Sequence, residues 1–153
     1  MQGIRDVMAR HHRSCDDLLA AAERAAANSA WGTALDAFAR FREAMLVHFS
    51  AEESFLFPLF EQRTGIHLGP TQVMRLEHAQ MRQLLAAAES ALAAHDGEEY
   101  AGNAETLLIM MQQHNVKEEN VLYPMCDEQL ADQLEAIVQQ LKQSIEQPGQ
   151  GAE

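Results

Sequence analysis

The sequence predicts an all-α protein, an up-down-up-down four-helix bundle with an additional C-terminal helix. Three observations predict it. Glycine and proline are scarce, 8 and 4 of 153 residues, while Ala, Leu, Gln and Glu abound, which is helix chemistry. No stretch alternates apolar and polar residues as a strand does. Short connections join long helical segments, which favours antiparallel neighbours.

The first helix is expected over about Ile4 to Ala27, ending at "ANS". The second starts near Ser29 or Thr33 and stops at "RTG", about Arg63. The third opens at "GPT", where Pro70 suits the first helical position, and fades at "HDG". Asp96 is placed to cap the fourth, which runs to about Glu128. Pro58 and Pro124 should each kink or end their helix, because proline lacks the N–H and crowds the preceding turn. A fifth helix, about 131–147, carries the apolar stripe Leu134, Ile137, Val138, Leu141 and Ile145. Residues 1–128 thus form the bundle as two hairpins, about 4–63 and 70–128. Residues 129–147 form a helix packed on it, or covering a homodimer surface, and 148–153 a frayed tail.

The net charge is −12 and spread along the chain, which argues against nucleic acid or an anionic membrane as partner. No apolar stretch reaches the ~18 residues of a membrane span. The first residues, "MQGIRDVMARHHR", contain no apolar signal core. Cys15 and Cys126 lie outside any paired-cysteine spacing and read as free thiols. A cytoplasmic location is expected.

The chain repeats itself. "HRSCDDLLAAAE" (12–23) matches "HAQMRQLLAAAE" (78–89), and "HFSAEESFLFP" (48–58) matches "HNVKEENVLYP" (114–124). Both matches have an offset of 66 without a gap. The chain is therefore two copies of one helical hairpin. The repeat aligns His12 with His78 and so selects His12 over its neighbour His11 as the inward residue. His11 is left exposed or supporting the site from outside.

Helix geometry then levels the histidines. His12 lies 16 residues before the turn at Asn28, and His48 lies 16 after Gly32. Each span is ~24 Å of helix. His78 and His114 repeat the same separation. Glu52 and Glu118, four residues past a histidine, share its face. Four imidazoles and two carboxylates would thus converge in a dry core, where unpaired carboxylates are costly. A metal pair removes that penalty. Two histidines per metal and two bridging carboxylates leave each ion an open position and room for a bridging oxygen. Imidazole with carboxylate suits Fe, with Mn or Zn allowed.

Other residues receive quieter readings. Glu53 and Glu119 fall ~140° round the helix from their histidine and read as outer or solvated. Tyr123 falls opposite His114 by the same phase. His67 and His95 lie in connections, exposed. Met45, Met110, Met111 and the Phe-rich run after Glu53 read as core.

These stretches together resemble the hemerythrin-like family, the HHE cation-binding domains, over about residues 4–128. The resemblance implies a four-helix bundle around a non-haem di-iron site with bridging carboxylates and an oxo or hydroxo bridge. Matched residue by residue, it implies the ligands His12, His48, Glu52, His78, His114 and Glu118. The chain departs from the invertebrate oxygen carriers. Arg82 stands where they have a second helix-3 histidine, and Glu118 is four, not five, residues past its histidine. The set is similar to that of bacterial di-iron proteins that repair iron–sulfur clusters or handle nitric oxide. Residues 1–11 do not resemble their Cys-containing segment. The expected role is binding of O2, NO or peroxide for sensing, storage or detoxification. The alternatives are a di-iron enzyme and a bundle with a purely structural metal. Arg82 lies on the His78 face and is expected to pair with an acidic neighbour such as Asp16, or to stand near the pocket.

Overall fold

The structure, a computed structural model, describes residues 2–146. The expected tail at 148–153, and Gln147 at the end of the fifth helix, lie outside the described residues. Helix α1 (Ile4–Ala27) turns into α2 (Trp31–Ala51), which continues through a π-helical turn (Glu52–Leu56) into α3 (Phe57–Thr64). Helix α4 (Pro70–Ala93) turns into α5 (Gly97–Lys117), which continues through a second π-helical turn (Glu118–Leu122) into α6 (Tyr123–Gln129). A 3-10 turn (Ala131–Gln133) leads into α7 (Leu134–Glu146). Among the described residues there is no strand.

Each hairpin turn is built the same way. Ser29 and His95, 66 residues apart, adopt left-handed conformations with φ of 55° and 56°. Ala30 N–H then donates to Ala25 O, and Asp96 N–H to Ala91 O, both at 2.9 Å. The Asp96 carboxylate caps α5 by accepting from Glu99 N–H at 3.1 Å, as expected. His95, exposed as expected, stacks on Trp31 at 5.2 Å. The two hairpins pack so that α1 meets α2 and α5, and α4 meets α2 and α5, closing a four-cornered bundle.

The prolines neither end nor break their helices. Pro58 and Pro124 sit in the first turn of α3 and α6, immediately after the π-helical turns. A proline cannot donate to the residue four back, and its ring crowds that carbonyl. The wider i→i+5 turn relieves both and inserts one extra residue. That insertion sets everything beyond it back by ~100° of helix phase.

Two cores fill the bundle, one on each side of the histidine level. Phe38, Phe41, Leu85, Leu92, Tyr100 and Leu107 belong to the core near the hairpin turns. Ile4, Val7, Phe57, Phe60, Leu122 and Tyr123 belong to the other, together with Ile137, Val138, Leu141 and Ile145 of α7. The stripe of α7 is therefore covered by the bundle's own flank, on α1 and α2.

Asp127 of α6 closes the start of α1. Its carboxylate accepts from Ile4 N–H at 2.7 Å and Arg5 N–H at 3.3 Å. These donors have no partner within the helix. Asp127→Ala is expected to lower stability by about 0.5–2 kcal/mol in chemical denaturation, the usual range for a lost N-terminal cap.

Candidate metal centre

The six residues singled out from sequence come together between the two cores. His12, His48, His78 and His114 are at most 6 % exposed, and Glu52 and Glu118 are fully buried. His12 pairs with His48, their rings 4.7 Å apart, and His78 with His114, 5.0 Å apart. The carboxylates lie between the pairs. Glu52 reaches His48 Nε2 at 3.5 Å through Oε2 and His78 Nε2 at 3.1 Å through Oε1. Glu118 Oε1 reaches His12 Nε2 at 3.1 Å and His114 Nε2 at 3.3 Å. Each glutamate thus spans from its own helix to the other hairpin.

Several of these contacts are close without being hydrogen bonds. Glu52 Oε1, His78 Nε2, His114 Nε2 and Glu118 Oε2 are buried and have no hydrogen-bond partner. Orphaned polar atoms facing one another in a dry core are costly. Glu52, His78, His114 and Glu118 each offer a ligand atom within 4.8 Å of the others, and so do His12, His48 and Glu118. Imidazole and carboxylate donors facing one point fit a divalent or trivalent cation such as iron. Cys15 is excluded from the set. Its sulfur meets the outer His11 ring at 3.9 Å, and burial pushes its thiol up to about 12.

A layer of partners holds the imidazoles from behind. Glu53 Oε2 is 2.6 Å from His78 Nδ1, Glu119 Oε2 is 2.7 Å from His12 Nδ1, and Glu77 Oε1 is 2.8 Å from His114 Nδ1. His48 Nδ1 instead meets His11 Nδ1 at 2.8 Å. Of the two readings left open for Glu53 and Glu119, outer to the site or solvated, this layer selects the first. Both lie in the π-helical turns, where the widened helix carries position five back toward the histidine face. His11 is buried as well, 9 % exposed. Glu77 was not foreseen, although the repeat aligns it with His11.

Arg82 pairs with Glu53, not Asp16. Its guanidinium donates to both carboxylate oxygens at 2.9 Å and lies 5.2 Å above the Phe49 ring. Lys117 donates to one oxygen of Glu77, Oε2. Although burial opposes it, His78 and Arg82 hold the Glu53 carboxyl down at about 2.

Tyr123 does correct the phase reading. Simple phase places it opposite His114, but the π-helical turn brings it into the centre. Its hydroxyl is 2.6 Å from Glu52 Oε2 and 2.8 Å from Glu118 Oε1. It also stands 3.2 Å from His48 Nε2 and 3.3 Å from His12 Nε2. The first hairpin has Phe57 at the equivalent position, stacked on His78 at 5.8 Å. Tyr123→Phe should therefore fold, yet the metal-free protein should lose about 1.5–3 kcal/mol of stability, the worth of a hydrogen bond to a charged group.

Protonation of the metal-free site follows from these contacts. Burial alone would push His12 and His78 down. The carboxylates of Glu118 and Glu119 outweigh it at His12, and those of Glu52 and Glu53 at His78, raising both to about 9. His11 goes the other way, to about 3, through burial and the neighbouring His48 and His12.

Beside the centre lies a cavity of about 10 Å³, lined by Cys15, Met45, Phe49, Met81 and Met111 together with His12, His48, His114 and Asn115. That is space for about one water-sized molecule. A groove of about 530 Å³ between α2 and α7 carries none of the six residues.

A family model described as the Hemerythrin HHE cation binding domain matches residues 3–126. No curated protein and no solved structure matches the chain.

Proposed function

The chain belongs to the hemerythrin HHE cation-binding domain family, and we propose that it is a non-haem di-iron protein that binds one small uncharged ligand, O2, NO or peroxide, for sensing, storage or detoxification. The observation that carries this reading is the set of four orphaned donor atoms, Glu52 Oε1, His78 Nε2, His114 Nε2 and Glu118 Oε2, facing one another in the core. Cations placed there would satisfy them. His78 and His114 would hold one ion and His12 and His48 the other, with Glu52 and Glu118 shared between them. Bound iron would supply an open coordination position and reversible redox chemistry. The protein supplies the rest: rings held in one tautomer, a carboxylate layer outside them, and a cavity of about 10 Å³ walled by Met and Phe. Such a wall favours a small neutral ligand over an ion. Manganese and zinc suit the same donors less specifically.

Purified protein loaded without oxygen should hold about two iron ions per chain. It should gain near-ultraviolet charge-transfer absorption on oxidation. A single tightly held zinc, or no metal under either atmosphere, would overturn the reading.

A second reading, turnover of peroxide or nitric oxide, is favoured by Tyr123, a redox-capable side chain within 2.8 Å of both carboxylates. Turnover by the iron-loaded protein that disappears in Tyr123→Phe with its iron retained would support it. Absence of turnover with both substrates would leave the binding role alone.

A further inference from the structure

The four inward imidazoles are not held alike. The 66-residue register makes Glu53 and Glu119 equivalent, and they sit behind His78 and His12 across the two hairpins. The same register makes Glu77 equivalent to His11, and these sit behind His114 and His48 within their own hairpins. Among the residues directly behind the rings, only this last position differs in chemistry between the two copies: three imidazoles rest on a carboxylate and His48 rests on another imidazole. The difference extends outward. Arg82 backs Glu53 and Lys117 backs Glu77, but the residue equivalent to Lys117 is Ala51.

Resting on the di-metal reading above, we infer that the two metal positions are unequal, and that His11 makes the one at His12 and His48 the weaker and more exchangeable. The physical reason lies in the Nδ1–H bond. An imidazole bound to a cation through Nε2 must carry its proton on Nδ1 and donate it outward. A carboxylate acceptor draws on that proton, makes Nε2 a better donor and offsets part of the ion's charge. Loss of such a partner typically weakens a metal site 10–100-fold. His11 accepts only as a neutral ring, through its own Nδ1, and brings no charge. The position at His78 and His114 has a carboxylate behind both rings, and the position at His12 and His48 behind one. Under limited supply the first fills alone, which allows a one-ion state or two different ions in one chain.

The test is an anaerobic Fe(II) titration of the full chain by equilibrium dialysis. The wild type should load in two steps, the second about 10-fold weaker or more. At one equivalent, anomalous diffraction should place the ion between His78 and His114. His11→Glu should close the gap. Glu77→His, at a partly exposed position, should weaken the first step by about 10–100-fold. Tyr123 distinguishes the same half of the site, so the gap must also persist in Tyr123→Phe. Two equal steps in the wild type, a gap unmoved by both exchanges, or a gap that vanishes in Tyr123→Phe would overturn the inference. No binding at all would instead overturn the di-metal reading, and this inference with it.

Discussion

Glu118→Gln is expected to strip both ions from a chain that stays folded. Glu118 is the residue common to the two donor groups, reaching His12 at 3.1 Å in one pair and His114 at 3.3 Å in the other. Glutamine keeps the volume and one carbonyl acceptor but removes the negative charge. Two cations then face one carboxylate instead of two at a position that is fully buried, where the lost charge is costly to replace. Loss of a partner that only supports a ligand already costs about 10–100-fold in affinity, so loss of a shared anionic ligand should cost about 100-fold or more at each position. Iron per chain should fall from about two toward zero under dialysis, while far-ultraviolet circular dichroism stays that of the wild type. A variant that keeps two ions at unchanged affinity would remove Glu118 from the ligand set. The conservative substitution is needed, because alanine would leave the charged His12 ring without its buried partner.

Metal removal is expected to have the next largest effect, and it is linked to protons. With no metal, the carboxylates raise His12 and His78 to about 9, so both rings are protonated at neutral pH. Two imidazolium charges then offset the carboxylates of Glu52 and Glu118, as the ions would. A cation must displace those protons from Nε2, so loading at pH 7 should release about two protons per chain. Apparent affinity should rise with pH until about pH 9. Calorimetry in buffers of different ionisation enthalpy reads this directly, and buffer-independent heats would contradict it. The sign for the metal-free fold is opposite. Raised histidine values contribute stability that is fully present below about pH 6.5 and lost as pH rises through about 9. Ions at about 1,000 times their dissociation constants should add about 4 kcal/mol each. For a chain of this size that is a rise in Tm of roughly 15–30 °C for the pair. A scan that chelation does not move would exclude a site linked to folding.

Much of the centre was legible in the chain itself. The exact offset between "HFSAEESFLFP" and "HNVKEENVLYP" singled out His48, Glu52, His114 and Glu118, and the offset from His12 to His78 separated His12 from His11. Counting 16 residues to each side of a hairpin turn placed the histidines at one level, because an α-helix rises uniformly. The need to cover the α7 stripe was legible too, but the sequence left open whether the bundle or a second copy covers it; in the structure Leu141 and Ile145 pack into the bundle's own core.

The phases that went astray share one origin. Tyr123 was put opposite His114, and Glu53 and Glu119 were left between an outer and a solvated place, by counting 3.6 residues per turn, and the helix does not keep that count between its glutamate and its proline. The signal was present, because Pro58 and Pro124 demand relief in the preceding turn. Sequence alone does not say whether the relief is a kink, an end or a π-helical turn.

Composition and the 66-residue repeat by themselves determined a duplicated helical hairpin and the six inward residues, because both follow from local periodicity along a single rod. The tertiary structure decided what stands behind and between them. Glu53 meets His78, Glu119 meets His12, and Tyr123 meets Glu52 only because two hairpins dock face to face with their helices locally widened. Contacts between separate rods depend on how those rods are rotated and set against one another, and no period within either rod records that.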